Sequence, residues 1–290
     1  MRSLLFVPGD SEKKLAKGLE SGADALIIDL EDSVAAGRKE AARRLTAEVV
    51  AGAKAAPLLY VRVNDLSTGL TDDDLAAVVK AGPAGIMLPK SNSGEDVARL
   101  AVRLRVHEAE AGIADGATRI LPIITETPAG VLNAGTYAGA SERLSGLTWG
   151  AEDLSAEIGA AATRDEDGRY TDVFRFARIS TILAATAAEV APIDTVFPNF
   201  RDEEAFHRDC LEGARDGFTG RMAIHPVQVP VINAVFTPSP EAVAEARAVV
   251  DAFAAAGNPG VVAIDGKMYD RPHLKRAERL LARAGAAGLG

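Results

Sequence analysis

The stretch Ala25-Leu26-Ile27-Ile28-Asp29-Leu30-Glu31-Asp32, the helical pattern over residues 38–52, and Leu58-Leu59-Tyr60-Val61-Arg62-Val63-Asn64-Asp65 together decide the reading of the fold. Both apolar runs are short, continuous and rich in Leu, Ile and Val, as in a parallel strand covered on both faces. The amphipathic segment between them is long enough for the crossover helix that parallel neighbours require. The same unit recurs along the chain. Strand candidates lie at residues 3–7, 25–30, 58–63, 85–88, 120–125, 147–150, 193–196 and 221–224. Helical patterns include 12–20, 38–52, 71–80, 94–111, 128–138, 172–190 and 203–214, with Ser, Thr, Asp and Gly at cap positions. Eight β-then-α units predict α/β architecture as a closed, modified (β/α)8 TIM barrel rather than an open sheet.

The length of 290 residues suits one such barrel with an appendage. The barrel is assigned to residues 1–237 and a C-terminal extension of helix and strand character to 238–290. Pro238-Ser239-Pro240 opens a helix over 241–256, and Gly257-Asn258-Pro259-Gly260 breaks it. The segment from Val261 to Pro272 and a final helix follow, with a frayed end expected over 282–290.

With 41 acidic and 32 basic residues the net charge is −9, so no basic field favours nucleic acid or an anionic membrane. The lone Cys210 forms no intramolecular disulfide and builds neither a zinc cluster nor an iron-sulfur site. That pattern fits a reducing compartment. No apolar run approaches the ~20 residues of a bilayer span, and the run from Met1 to Val7 ends at Pro8-Gly9, too short for a signal peptide core. The expected location is cytoplasmic.

In a barrel the reacting groups sit at the C-terminal ends of the strands. Those ends carry Asp29-Leu30-Glu31-Asp32, Arg62-Val63-Asn64-Asp65, Pro89-Lys90, Glu126-Thr127-Pro128 and Gly150-Ala151-Glu152-Asp153. Carboxylates gathered this closely repel unless some protonate or a cation holds them. With no His or Cys partner beside them, a hard divalent ion is the simpler solution, Mg2+ first and Mn2+ as substitute. Glu126 and Asp153 are the candidate ligands, since each follows an apolar strand directly. Glu126 reads equally as a helix-start carboxylate, with Thr127 as N-cap and Pro128 in the first turn. Arg62 lies in a strand apolar enough to be buried and therefore needs a partner. That partner is either a substrate carboxylate or developing oxyanion, or a structural acid among Asp29, Glu31 and Asp32, which are read as supporting groups rather than metal ligands. Pro8-Gly9 offers backbone N–H groups to an anion or forms a simple turn, with Lys13 and Lys14 on the helix that follows. Arg38 and Lys39 border the mouth or lie on a solvated helix face. His225 before Pro226 reads as a hydrogen-bonded loop histidine, and His107, His207 and His273 carry no catalytic spacing.

The same residues carry a family resemblance. Leu5-Phe6-Val7-Pro8-Gly9, Asp29-Leu30-Glu31-Asp32, Val61-Arg62-Val63-Asn64, Leu88-Pro89-Lys90, Glu126-Thr127-Pro128-Ala129-Gly130 and Gly150-Ala151-Glu152-Asp153 resemble the CitE-like branch of the HpcH/HpaI aldolase and citrate lyase family. So do Gly217-Phe218-Thr219-Gly220, Ile224-His225-Pro226 and Gly266-Lys267-Met268-Tyr269-Asp270-Arg271-Pro272. The blocks run in order over nearly the whole chain. The resemblance implies a modified TIM barrel, assembled as homotrimers or hexamers, that cleaves or forms carbon–carbon bonds between a 2-oxo acid and an acetyl or propionyl thioester. It also implies that Glu126 and Asp153 bind Mg2+ and that Arg62 contacts the reacting oxygens; reasoned physically from there, the N–H groups of Ala151 and Glu152 are candidates to hold the substrate carboxylate. Asp270 matches an acid/base that reaches into a neighbouring subunit, although Tyr269 stands where Ile is more often expected. Lys13 and Arg38 are candidates for contacts with CoA. The implied activity is a stand-alone citramalyl-CoA or malyl-CoA lyase. The alternatives are a citrate lyase β subunit working on a citryl thioester of an acyl carrier protein and, more remotely, a non-catalytic barrel that serves as a binding subunit.

Overall fold

The computed structural model describes residues 1–53 and 57–289. They form two compact units, Met1–Asn233 and Ala234–Gly290.

In the first unit eight strands pair in parallel: β1 (Ser3–Pro8), β2 (Ala25–Asp29), β3 (Leu58–Arg62), β4 (Gly85–Leu88), β5 (Arg119–Pro122), β6 (Gly146–Thr148), β7 (Ala191–Asp194) and β8 (Gly220–Ala223). Their order is β5-β4-β3-β2-β1-β8-β7-β6. Parallel bridges Ile120↔Leu144 and Ile123↔Thr148 join the two ends, so the sheet is a nearly closed barrel. Around it run α1 (Glu12–Leu19), α2 (Lys39–Gly52), α3 (Thr71–Val78), α4 (Gly94–Ala111), α5 (Pro128–Leu132), α6 (Ala151–Ile158), α7 (Asp172–Ala187), α8 (Glu203–Asp216) and α9 (Gln228–Phe236). This is the (β/α)8 architecture expected from the repeating unit. No helix among the described residues is long and apolar enough to cross a membrane.

Departures from the expected boundaries have local causes. The β5 ladder stops at Pro122, which has no N–H to give; beyond it the N–H groups of Ile123 and Ile124 donate to Leu88 O and Thr148 O at 2.9 Å each. The sixth strand is only three residues long and yields after Gly150 to α6, a helix absent from the segments read as helical. Helix α9 was not read either, because Pro230 sits inside an apolar run without helical period.

Inward-facing Leu4, Ile27, Tyr60, Met87, Leu121, Ile193 and Met222 fill the barrel. Since side chains alternate along a strand, the positions two residues beyond Ile27 and Tyr60 also face inward, at the top. Those positions are Asp29 and Arg62, direct partners in the β2–β3 register. The strand period that builds the core thus also delivers a carboxylate and a guanidinium to the mouth.

The second unit holds α10 (Pro240–Ala255), an antiparallel hairpin of β9 (Val261–Ile264) and β10 (Lys267–Asp270), and α11 (Arg271–Ala286). Its turn, Asp265-Gly266, has φ of 49° and 75°, the doubly left-handed pair that suits a two-residue hairpin. Ala246, Val249, Phe253, Val262, Leu274 and Ala277 form its own core.

Candidate active site

Arg62 is held first by Asp29. Its Nε donates to Oδ1 at 2.7 Å and its Nη2 to Oδ2 at 2.8 Å, a two-point pairing that fixes the guanidinium plane. Nη1 lies 3.0 Å from Glu31 Oε2, and the ring of Phe6 sits 5.0 Å below Cζ. Asp29 also accepts from the N–H groups of Glu31 and Ser33 at 2.9 and 3.0 Å. Burial alone would push the Asp29 carboxyl up, yet Arg62 and these donors bring it below the ordinary range. The structural-acid partner foreseen for Arg62 is therefore present. Asp29 takes only two of the five guanidinium hydrogens, so the arginine keeps donors for another oxygen.

Across the mouth, Glu126 is 2% exposed. Burial first, and the facing Asp153 second, push its carboxyl up to about 8. The Lys90 backbone N–H donates to its Oε2. Gly150 makes room for this side chain: a Cβ there would stand 2.7 Å from Glu126 Cγ and 3.2 Å from Oε1. Thr127 caps α5 by accepting from the Gly130 N–H at 3.0 Å, so Glu126 stands outside the helix it was also read as starting. Asp153 lies in the first turn of α6, whose N-terminus has no side-chain cap. Gly150, Ala151, Glu152 and Asp153 all line the same cavity of about 910 Å³, together with Arg62 and Glu126. The first-turn N–H groups of α6 consequently face a space where an anion is favoured.

Two oxygen-donor carboxylates, one of them buried against the other, suit a hard divalent cation. Among the described residues no group of three or more His, Cys, Asp and Glu is arranged to hold a metal. Water and substrate oxygens would have to complete the coordination of an ion at Glu126 and Asp153, which is the ordinary habit of Mg2+.

Lys90 received no role from sequence. It adopts φ 50°, and its Nζ lies 2.6 Å from Glu31 Oε1, 3.3 Å from Asp153 Oδ1 and 3.5 Å from Asp32 Oδ2. Burial pushes the Glu31 carboxyl up, against the pull of Arg62 and Lys90. Also unforeseen is the floor, where the Trp149 indole N–H donates to Asp194 Oδ1 at 2.7 Å while Arg178 Nη2 holds Asp194 Oδ2 at 2.7 Å.

The remaining predicted residues lie as follows. Asp32 is largely exposed at the rim. The α1 residues on the cavity wall include Lys14 and Lys17 but not Lys13. Arg38 pairs with Asp10 at 3.5 Å. The Gly9 N–H donates to Asp29 O at 2.9 Å and serves a turn. His225 accepts from the Val227 N–H and stacks on Phe200, the loop role expected of it. Asp270, in the second unit, ends β10 and pairs with His273, which holds its carboxyl below the ordinary range.

A model of the HpcH/HpaI aldolase/citrate lyase family matches residues 2–226, the stretch that contains every group of this mouth. The chain belongs to that family. Membership makes it an enzyme of the lyase type built on this barrel, in accord with the resemblance read from the motifs. Within the family it is 36% identical to citrate lyase subunit beta of Escherichia coli K12 over 295 residues, covering 99% of this chain and 94% of the relative. It is 35% identical over 290 residues to a (3S)-malyl-CoA thioesterase of Cereibacter sphaeroides, covering 98% and 95%. The structure of CitE from Mycobacterium tuberculosis in complex with magnesium, acetoacetate and coenzyme A superposes with a TM-score of 0.79 at 33% identity, covering 98% of both chains.

Proposed function

We propose that the chain is a Mg2+-dependent carbon–carbon lyase that cleaves a 3-hydroxyacyl-CoA thioester of the citramalyl-CoA or malyl-CoA type to acetyl-CoA and a 2-oxo acid. The observation that carries the reading is the juxtaposition of buried Glu126, Asp153 and the Asp29-held Arg62 on one cavity. A divalent ion held by Glu126 and Asp153 would draw electrons from the carboxylate and hydroxyl oxygens of a bound hydroxy acid and lower the pKa of that hydroxyl.

The chain's own groups do the rest. The α6 N-terminus, through the N–H groups of Ala151 and Glu152, receives the substrate carboxylate and orients it. Arg62 offers its remaining hydrogens to the oxygen where negative charge develops, a contribution of ~3–4 kcal/mol for a donor of this kind. As the hydroxyl proton leaves, the electron pair of the carbon–carbon bond passes to the thioester and the keto acid separates. Asp270, reaching in from a neighbouring subunit of a homotrimer or hexamer, takes up that hydroxyl proton as a carboxylate and then returns it to the enolate carbon. Lys14 and Lys17 on the wall, with Lys13 and Arg38 beyond it, supply positive charge for the CoA phosphates.

A second reading, the β subunit of a citrate lyase acting on a citryl thioester of an acyl carrier protein, is favoured by the identity to the Escherichia coli subunit over nearly its full length. Incubating the purified chain with Mg2+ and citramalyl-CoA, malyl-CoA or citryl-CoA, with EDTA controls, separates the two. Keto acid released from a free CoA ester, and lost in Glu126→Gln, supports the first. Activity that appears only with a carrier-protein thioester supports the second, and none with either overturns both.

A further inference from the structure

Lys90 follows the last residues of β4 with a left-handed backbone, φ 50°, which a residue bearing a side chain adopts only where its surroundings hold it. Here the backbone N–H is committed to Glu126 while the side chain folds back across the mouth to Glu31, Asp32 and Asp153. We infer that Lys90 sets the divalent-cation affinity of the site by competing with the ion for Asp153. The inference rests on the reading of Glu126 and Asp153 as the ion's ligands.

Five carboxylates, those of Asp29, Glu31, Asp32, Glu126 and Asp153, gather with the two cations Arg62 and Lys90. They are not equivalent cations. Arg62 is fixed in a two-point pairing with Asp29, whereas the Lys90 ammonium is a point charge on a flexible stem with three carboxylates in reach. Lys39 plays no such part, because its Nζ is engaged by Leu30 O, Glu31 O and Asn64 Oδ1 at 2.7 Å each. An ammonium 3.3 Å from Asp153 Oδ1 and an ion drawing on the same carboxylate repel, and at so short a separation salt screens that repulsion little. Glu31 and Asp32 offer the ammonium a second seat. The ion therefore binds by displacing Lys90 from Asp153 while Glu31 and Asp32 keep the ammonium, and the energy of that exchange holds its affinity below what two carboxylates alone would reach.

Mn2+ titration followed by electron paramagnetic resonance, without substrate, tests this on the intact protein. Lys90→Met is expected to bind Mn2+ about tenfold or more tightly than wild type, since a nearby like charge has gone while the stem remains. Lys90→Arg keeps the charge and is expected within about threefold of wild type, and Lys14→Met, a lysine on the wall without contact to Asp153, within about twofold. Near-ultraviolet circular dichroism confirms that each variant is folded. Unchanged or weaker binding in Lys90→Met overturns the inference, as does equal tightening in Lys14→Met. A site abolished by Glu126→Gln yet indifferent to Lys90 overturns only the competition. Wild-type protein without a Glu126-dependent Mn2+ site overturns the ligand assignment and this inference with it.

Discussion

Glu126 is a carboxyl placed where its charge is costly: buried, facing Asp153, and pushed up to about 8. Because the folded chain binds this proton more tightly than the unfolded chain does, stability is greatest below the ordinary carboxyl pKa and falls as pH rises toward 8. In EDTA, wild type should lose of order a few kcal/mol relative to Glu126→Gln between pH 5 and 8.5. Denaturant melts across that range check the slope, and parallel curves for the two proteins would contradict it. Gly150 gives a second test at this scale. Its missing Cβ makes room for Glu126 Cγ, so Gly150→Ala should displace the carboxyl and cut the lyase rate by about 100-fold or more, as expected when a reacting group moves by 1 Å. An alanine variant with wild-type kcat would show that this close approach is unimportant. Arg62, Glu126 and Asp153 can be read as candidates from the sequence because each stands at the polar end of a buried apolar run, and the structure brings the three onto one cavity. Lys90 cannot be so read, since its part depends on a left-handed φ and on contacts with residues 58 and 59 positions away.

At the scale of elements, the repeating strand and helix pattern showed all eight strands, and most ladders begin or end within two residues of the expected positions. What escaped were devices made by contacts distant in sequence. The Trp149–Asp194 bond joins residues 45 apart, and α6 is a short helix hidden behind a strand of three residues. A further link, also of this kind, ties the end of α4 to the approaches of β5 and β6. Arg143 pairs with Glu108 at 2.9 and 2.7 Å, and Glu108 also accepts from the Thr118 and Gly116 N–H groups at 2.7 and 3.0 Å. Burial acts to raise the Glu108 carboxyl, but these donors bring it down to about 2. Its contribution is thus complete above the ordinary carboxyl range and is lost as pH falls toward 2. Glu108→Ala strands a buried guanidinium and should cost ~3–5 kcal/mol in denaturant unfolding at pH 7. A loss below ~1 kcal/mol would show that Arg143 finds another partner, Asp115 being in contact with it.

For the whole molecule, the proposal places Asp270 of one subunit in the site of the next. Asp270→Asn and Glu126→Gln should each be inactive, yet oligomers assembled from equal amounts of both should regain about a quarter of wild-type activity, because random pairing completes that share of shared sites. Mixed oligomers as inactive as their parents would place Asp270 and Glu126 of one chain in the same site, and an Asp270→Asn parent with wild-type activity would remove Asp270 from the chemistry. The most direct measurement of the central claim is anomalous diffraction from crystals grown with Mn2+ and pyruvate. The account predicts one strong peak at the carboxylates of Glu126 and Asp153, in contact with pyruvate oxygens, and the pyruvate carboxylate on the α6 N-terminus. No peak between those two side chains, or pyruvate seated away from Arg62, would contradict it.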